Sequence, residues 1–419
     1  MRIAMVSEHA SPLAAIGGVD AGGQNVHVAA LSSALGRQGH EVTVYTRRDD
    51  PSLPARVPLA PGVEVVHLDA GPAERVPKDA LLPFLPALAD GLVADWERVR
   101  PDIVHGHFWM SGVAALDAAR RVAPLRPLPV VQTFHALGVV KRRHQGAADS
   151  SPAEREHLEP EVGRTADGVL ATCTDEALEL VALGVPGDSI TVVPCGVDTG
   201  RFLPAGPAEP KGQPHRILSV GRLVQRKGVD LVVTAMARLA DLGRTDVELV
   251  VVGGSGGVSD LRDDPEVRRL EDLARQLGVA DRVHIRGQVA QAELPRVLRS
   301  ADAVVCAPWY EPFGIVPLEA AACGVPAVVS AVGGLTDSVV HGETGLHVPP
   351  RNPDAIAAAL ATLLDDEPLR RRLGAAGRAR MESRYSWDRV AADTAEAYRR
   401  TIRRATQGVG AGTTEGALR

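Results

Sequence analysis

The chain has 419 residues, which predicts about two domains, because a single hydrophobic core stops growing near roughly 250–300 residues. Hydrophobic residues make up 45% and charged residues 23%, as in soluble globular domains. The net charge of −6 and the aromatic content of 3% count against a general nucleic-acid binder, so no nucleic-acid partner is expected.

The four cysteines show no CxxC spacing, and three of them lie in or beside apolar runs. We expect buried free thiols in a reducing compartment, so the predicted location is cytoplasmic. The first ten residues contain one arginine and a short apolar run, which predicts a buried strand and not a signal peptide. No stretch approaches the roughly 18 apolar residues of a membrane span, so no transmembrane segment is predicted.

Short apolar strands alternate with helical stretches along the chain, which predicts an α/β fold with parallel sheets covered on both faces. The first series of predicted strands covers residues 2–7, 41–46, 63–68, 102–107, 129–134, 168–173 and 190–194. After a linker rich in Pro and Gly at 198–213, a second series covers 216–220, 248–254, 283–287, 303–306 and 327–330. The predicted domains are 1–200 and 201–380, followed by an amphipathic helix at 381–404 and a disordered tail at 405–419.

A glycine-rich loop, GGVDAGGQN at residues 17–25, follows the first strand and precedes a helix. Glycines before a helix N-terminus let backbone N–H groups approach an anion, but the loop is neither a Walker A motif nor a regular GxGxxG. Asp20 and Asn25 are polar enough to bind the hydroxyl groups of a small substrate, and a turn-forming role is equally supported for both.

Histidines stand at two predicted strand ends in the first domain. His105 and His107 form an HxH pair, but the sequence offers no third ligand at a suitable spacing, so no metal site is predicted. His135 follows the strand at 129–134, again at a carboxyl end. The basic cluster at 140–144 is either a solvated loop or a surface that attracts an anionic acceptor.

Two cations in GRLVQRKG, residues 221–228, lie in the loop that leads from the first strand of the second domain into a helix. Arg222 offers a forked contact and Lys227 a point charge, which together suit a diphosphate; the alternative is a pair of solvated loop cations. The glycines at 253–257 resemble a dinucleotide fingerprint. We reject NAD binding because Ser259 replaces the third glycine and the preceding strand is not the first of its domain.

The segment EPFGIVPLEA carries Glu311 and Glu319 between two predicted strands. On one helix they would lie roughly 12 Å apart along the axis, too far for the paired carboxylates of a glycosidase. The spacing suits a nucleotide-sugar, with its diphosphate over the amides of 313–315. The alternative is that Glu311 caps the helix and Glu319 is a solvated helix residue.

EPFGIVPLEA resembles the E-x7-E signature of the family 4 retaining glycosyltransferases, and GGVDAGGQN, TFHALG (133–138) and GRLVQRKG match further family motifs in the same order. The resemblance implies the GT-B fold, two Rossmann-like domains with parallel sheets facing across a cleft, and a hexosyltransferase. The catalytic residues that it implies are His135, Arg222, Lys227 and Glu311. The donor-binding residues that it implies are His9, Gly23, Arg222, Lys227, Glu311, Phe313, Gly314, Ile315 and Glu319.

The acceptor motifs are most similar to those of the inositol-phosphate N-acetylglucosaminyltransferases of mycothiol synthesis. In that family a Lys, a Tyr, a Thr and an Arg hold the acceptor phosphate. This chain has Lys78 and Arg155, but Phe108 and Ala136 stand where the two hydroxyl groups would be. The acceptor-binding residues that the resemblance implies are Asp20, Asn25, Lys78 and Arg155.

We therefore expect transfer of a sugar, with retention, from a UDP-linked or other NDP-sugar to a small phosphorylated polyol or sugar such as inositol phosphate. The alternatives are a transferase like sucrose-phosphate synthase, a GT-B nucleotide-sugar epimerase, and a non-catalytic nucleotide-sugar sensor. The family mechanism is a front-face substitution that requires no cofactor; magnesium is compatible with it but not implied. A homodimer is compatible with the sequence.

Overall fold

The computed structural model describes residues 1–14, 22–122, 127–254 and 261–412. The chain divides into two compact units: unit 1 is Met1–Pro194 with Trp387–Arg419, and unit 2 is Cys195–Ser386. The division falls before residue 200 because Val197 and Phe202 belong to a core cluster of unit 2. Val197 also pairs with Ser386, so both ends of unit 2 meet in one bridge.

Unit 1 is built on an eight-stranded sheet with the order β3-β4-β2-β1-β5-β6-β7-β8. Its strands are β1 Arg2–Val6, β2 Glu41–Arg47, β3 Arg56–Ala60, β4 Val63–Leu68, β5 Ile103–His107, β6 Val130–Thr133, β7 Gly168–Ala171 and β8 Ile190–Val192. The sheet is parallel except at its edge, where β3 pairs antiparallel with β4. Buried apolar runs such as β5 and β6 occupy the centre of the sheet, because both faces are covered there.

The helices of unit 1 cover both faces of this sheet. They are α1 Gly23–Arg37, α2 Leu85–Arg98, α3 Trp109–Val122, α4 Gly138–Gln145, α5 Arg155–Thr165, α6 Thr174–Ala182 and the last helix of the chain, Trp387–Gly412. The last helix packs on α1, where Arg37 Nη2 lies 2.6 Å from Asp388 Oδ1. On its inner face, Ala391, Ala395 and Tyr398 are buried, as the helical spacing of these residues predicted.

Unit 2 contains a six-stranded, fully parallel sheet with the order β11-β10-β9-β12-β13-β14. Its strands are β9 His215–Val220, β10 Val247–Val252, β11 Val283–Arg286, β12 Ala303–Cys306, β13 Ala327–Ser330 and β14 Gly345–Val348. Its helices are α7 Val229–Asp241, α8 Pro265–Gln276, α9 Leu294–Arg299, α10 Ile315–Ala322, α11 Leu335–Ser338, α12 Pro353–Asp365 and α13 Glu367–Arg380. The last helix of the chain, Trp387–Gly412, which belongs to unit 1, is α14. Because the strand order reverses between β9 and β12, the loops that leave these two strands diverge and open a crevice, the usual ligand site of such sheets.

Three features differ from the sequence-based expectations. Residues 405–412 continue helix α14, where a disordered tail was predicted. The basic cluster at 140–144 belongs to helix α4 and not to a loop, and Arg143 of this cluster pairs with Glu179 of α6. Strands β3 and β14 were not predicted.

Within the described ranges, no helix combines the length and the apolar character needed to cross a membrane.

Candidate active site

At the β9–β12 switch point of unit 2, a lysine and a glutamate form an ion pair. Lys227 ends a short 3-10 turn after β9, and its Nζ atom contacts Glu311 Oε2 in the loop after β12. The two loops are also joined through the backbone, since the Trp309 N–H donates to the Arg226 carbonyl at 2.9 Å. The structure thus brings together two residues that the sequence analysis considered separately, Lys227 for a diphosphate and Glu311 for a nucleotide-sugar.

The charge around Glu311 keeps it ionised. Burial of its side chain acts to raise the pKa, but Lys227, with Arg226 and Arg222, outweighs burial and lowers it. Arg222 lies exposed in the loop after β9. The site therefore presents a carboxylate hydrogen-bond acceptor beside several cations.

The loop after β12 turns sharply into helix α10 at Gly314, the N-cap, which has φ of 79°. A Cβ atom at this position would lie 2.5 Å from the Leu335 Cδ2 atom, so the close packing of α11 adds to the need for glycine. The Gly334 N–H donates to the Glu311 carbonyl at 3.0 Å and holds the loop from the other side. Gly314 and Ile315 therefore lie at the N-terminus of α10, where a helix leaves its first backbone N–H groups without intrahelical partners, and Phe313 precedes them.

Glu319 lies inside α10 and is 7% exposed. Burial raises the pKa of its carboxyl group to about 8, against a weaker lowering effect of Arg201. No hydrogen-bond partner for this carboxyl group is found among the described residues. Glu319 is thus a buried carboxylic acid and not the solvated helix residue of the alternative interpretation.

In unit 1, three buried histidines and one half-buried histidine form a group, which we call the histidine cluster: His27 of α1, His105 and His107 of β5, and the half-buried His135 after β6. His107 Nδ1 lies 3.0 Å from His135 Nε2. The rings of His105 and His107 have centroids 4.0 Å apart, and that of His27 lies 5.0 Å from that of His135. His135 has φ of 63°, an uncommon conformation for a residue with a side chain.

All four histidines of this cluster are neutral near pH 7. Burial lowers the pKa of His27 to about 4 and that of His105 to about 3. Burial first, and then the neighbouring histidines, lower the pKa values of His107 and His135 well below the usual range. The described residues contain no group of three ligands that could hold a metal ion, and the HxH pair is instead hydrogen-bonded within the fold.

The other residues predicted near the first strand have identifiable surroundings. His9 Nδ1 lies 2.7 Å from Glu8 Oε1, and its ring meets that of Phe108 edge to face at 5.0 Å. Gly23 begins helix α1. Asn25 accepts from the Gly22 N–H at 3.0 Å and donates to the Ser11 carbonyl at 2.9 Å, which favours its turn-forming role. Asp20 lies outside the described residues.

Arg155 is 3% exposed and is held by a network in α5 and the loop before it. Its Nε and Nη2 atoms donate to Glu159 Oε2 at 2.9 and 2.7 Å, Nη2 also donates to the Ala136 carbonyl at 2.6 Å, and Nη1 donates to Ser151 Oγ at 3.2 Å. The guanidinium lies 5.0 Å from the centre of the Phe108 ring. Burial raises the pKa of Glu159 in spite of the charge of Arg155.

Lys78 lies in a 3-10 turn, Lys78–Ala80, on another segment of unit 1. The next residue, Asp79, accepts from Ser150 Oγ at 2.6 Å, and Ser151 bonds Arg155. The serine pair therefore links the Lys78 turn to Arg155, two positions that are far apart in sequence.

Some residues of these networks escaped sequence reasoning. The HxH pair was the signal for the histidine cluster, but it was considered only as a metal ligand. His27 and Tyr398 lie on amphipathic helices, where their helical spacing indicates burial and nothing more. Glu159 stands four residues after Arg155, a spacing that would have predicted their ion pair.

Comparison with known proteins agrees with this geometry. The family described as Glycosyl transferases group 1 matches residues 206–380, and the one described as Glycosyltransferase Family 4 matches residues 21–201. A D-inositol 3-phosphate glycosyltransferase of Streptomyces bingchenggensis is 37% identical over 417 residues, covering 96% of this chain and 90% of the relative. The protein of that name from Kineococcus radiotolerans is 39% identical over 424 residues, covering 96% and 95%.

The solved structures point to the same fold. Sucrose-phosphate synthase from Thermosynechococcus elongatus superposes with a TM-score of 0.82 at 31% identity, covering 95% of this chain and 98% of the other. WaaG, a glycosyltransferase of lipopolysaccharide biosynthesis, has a TM-score of 0.65 at 19% identity, covering 94% and 99%, which supports the fold alone. The chain therefore belongs to glycosyltransferase family 4 and is a hexosyltransferase of GT-B fold.

Proposed function

We propose that this enzyme transfers a sugar with retention of configuration from an NDP-sugar to a small phosphorylated polyol, with inositol phosphate as the first candidate. The observation that carries the proposal is the Lys227–Glu311 pair at the switch point of unit 2, next to the N-terminus of α10. A diphosphate is bound by cations and backbone N–H donors, and a sugar hydroxyl group is bound by a hydrogen-bond acceptor such as a carboxylate. This site supplies groups of both kinds.

Lys227 can serve the leaving diphosphate without leaving Glu311. An ammonium group has three N–H donors, so one can remain on the carboxylate while another meets a phosphoryl oxygen. Glu311, kept ionised by the surrounding cations, accepts from a hydroxyl group of the donor sugar. Lys227 and Arg222 then stabilise the negative charge that develops on the diphosphate as the glycosidic bond breaks, and no cofactor is needed for this step.

Glu319 suits the ribose of the nucleotide. With a pKa of about 8, its carboxyl group is mostly protonated at neutral pH. A protonated carboxyl group can donate one hydrogen bond and accept another, which matches a ribose hydroxyl pair. Among the described residues, no hydrogen bond to this carboxyl group competes with the ligand.

The phosphorylated acceptor is supported by the names of the relatives and by the Arg155 network. The contacts of Arg155 with described residues engage four of its five N–H groups, so one remains for an acceptor phosphate. Lys78, tied to the same network through Asp79 and Ser150, offers a second cation. The similarity to sucrose-phosphate synthase favours a phosphorylated sugar as a second candidate acceptor.

The donor part of the proposal is tested by measuring NDP release with UDP-, GDP- and ADP-sugars, in the presence and absence of acceptors. Lys227→Ala and Arg222→Ala should each lower kcat by about 10²–10³, as expected for a lost contact to developing charge. Lys211→Ala is the matched control, because Lys211 pairs with Asp302 at the opposite end of β12. Normal turnover by a folded Lys227→Ala, Arg222→Ala double variant would contradict the diphosphate assignment.

The roles of the two glutamates are separated by titrating free NDP and NDP-sugar. Glu319→Gln should weaken both ligands, whereas Glu311→Gln should spare NDP and weaken only the NDP-sugar. Equal effects on free NDP would remove this division of roles. The anomeric configuration of the product, read by NMR, decides between retention and inversion.

The acceptor part is tested by comparing inositol phosphate with inositol, and a phosphorylated hexose with the same hexose without phosphate. Lys78→Ala should raise the acceptor KM by about tenfold, which corresponds to one charge-assisted hydrogen bond, and leave the donor KM unchanged. Phe108→Tyr with Ala136→Thr, which restores the two hydroxyl groups, should raise activity on inositol phosphate. A preference of the wild type for unphosphorylated acceptors, together with a silent Lys78→Ala, would refute a phosphorylated acceptor.

A further inference from the structure

The hydrogen positions around His105 follow from its partners. Thr133 Oγ1 donates to the Leu170 carbonyl at 3.1 Å, so it must accept from His105 Nε2 at 2.9 Å. His105 then carries its proton on Nε2, and its Nδ1 atom accepts from the Tyr398 hydroxyl at 2.6 Å. Hydrogen bonds are therefore donated in one direction, from Tyr398 to His105, from His105 to Thr133 and from Thr133 to the Leu170 carbonyl.

His107 and His135 share one proton between two nitrogens 3.0 Å apart. If His135 Nε2–H donated, His107 would carry its own proton on Nε2. That atom is buried and has no hydrogen-bond partner among the described residues, so an N–H group would be orphaned there. Buried N–H groups without acceptors are rarer in proteins than buried acceptors without donors. The favoured arrangement is therefore His107 Nδ1–H donating to His135 Nε2.

This arrangement decides which ring nitrogen of His135 carries the proton. A neutral imidazole whose Nε2 accepts must carry its proton on Nδ1. His135 is half-buried, whereas His107 is fully buried, so only His135 can meet a ligand. The strained backbone of His135, with φ of 63°, is the kind of conformation found where a side chain is held in place for a ligand.

We propose that His107 is a positioning residue that fixes His135 as its Nδ1–H tautomer, so that His135 presents a neutral hydrogen-bond donor to a hydroxyl group of the sugar substrate. The part that concerns the sugar rests on the proposed function; the tautomer does not. His135 then binds the sugar as a donor and does not act as a general base.

The tautomer is read directly by NMR of the full chain labelled with ¹⁵N-histidine, near pH 7, from the two-bond couplings of ring protons to ring nitrogens. The His135 signals are assigned by their loss in His135→Asn. We expect His135 to carry its proton on Nδ1 in the wild type. A proton on Nε2 of His135, or an even mixture of the two forms, would overturn the inference.

Two variants of His107 separate positioning from packing. In His107→Asn, the side-chain amide N–H replaces the Nδ1–H group, so the tautomer of His135 and the kinetics should be retained. In His107→Leu, the donor is lost, so the tautomer should become mixed and the KM for the nucleotide-sugar should rise by roughly tenfold, with kcat changed less. The control is His67→Gln, a buried histidine whose Nδ1 lies 2.7 Å from the Pro54 carbonyl, outside the cluster.

The outcomes distinguish this inference from the proposed function. Mixed tautomers of His135 in His107→Leu with unchanged kinetics would support the positioning role of His107 and refute the contact of His135 with the sugar. Equal damage by His107→Asn and His107→Leu, with no change in the tautomer, would show that His107 only fills space. If His107→Leu does not fold, the wild-type spectrum and His107→Asn still decide.

Discussion

Replacing Glu319 with glutamine should stabilise the protein while weakening its nucleotide binding. The pKa of Glu319 is about 8 in the folded chain, against an ordinary value of 4.5. Since the folded state holds the proton more tightly, the free energy of unfolding falls as the pH rises between these two values. Each unit of pKa difference corresponds to about 1.4 kcal/mol, so the full penalty has an upper bound of about 5 kcal/mol and a realistic size of a few kcal/mol.

The advantage of Glu319→Gln over the wild type should therefore depend on pH in a specific way. It should be small below pH 4.5, where the wild-type carboxyl group is largely protonated in both states, and grow to a plateau above pH 8. Urea unfolding at pH values from 5 to 9, with hydrogen exchange of peptides from β12 and α10 as a local measure, checks this. NDP affinity measured on the same samples should fall.

Glu311→Gln is the matched control, because its environment acts in the opposite direction. The pKa of Glu311 is lowered, so its ionised form stabilises the fold above its unfolded pKa, and the substitution should destabilise there. An advantage of Glu319→Gln that did not change between pH 5 and 9 would refute the assignment of a buried, protonated Glu319.

Three further predictions follow from other contacts. Lys227→Met should destabilise unit 2 by about 1–3 kcal/mol at pH 7, because the half-buried Glu311 carboxylate loses the cation that contacts it. The urea midpoint checks this, and an unchanged midpoint would contradict the ion pair. Arg351 has φ of 57°, and its guanidinium lies 4.3 Å from the centre of the Trp309 ring. Because glycine adopts this backbone conformation without strain, Arg351→Gly should be more stable than Arg351→Ala by about 1 kcal/mol. Equal melting temperatures of the two variants would contradict backbone strain at this position. Because burial lowers the pKa values of His27 and His105, unit 1 should lose stability as the pH falls from 6.5 toward 4, seen as faster hydrogen exchange in α1 and β5; exchange that is independent of this pH change would contradict it.

The strands whose bounds the sequence predicted correctly are those marked by a continuous apolar run in the sequence itself. The apolar runs at 63–68, 303–306 and 327–330 form strands with the predicted bounds. Strand β3 was missed because Pro58 interrupts an exposed edge segment. Helix α4 was missed because its polar sequence is stabilised by ion pairs to other helices, such as Arg143 with Glu179.

Some predicted site residues, such as His135 and Glu311, follow the carboxyl ends of strands as the sequence indicated, but their partners were not predictable. Lys227 and Glu311 are 84 positions apart in sequence, and the Tyr398 and His105 side chains are separated by 293. No periodicity or propensity relates such positions, since their contact depends on the order of strands and on the return of the last helix. The short-range pair Arg155 and Glu159, by contrast, has a spacing that reveals the contact.

The insertion of unit 2 within unit 1 has a consequence for synthesis of the chain on the ribosome. Unit 2 is one continuous segment and can complete its fold as soon as Ser386 has emerged, because domains fold as units during translation. Unit 1 must wait for α14, which brings Trp387 to within 5.4 Å of the His27 ring and Tyr398 to His105. The half that is translated first is thus the half that finishes folding last, and until α14 has been synthesised the side chains that pack on it, such as His27 and His105, stay accessible to chaperones and to water.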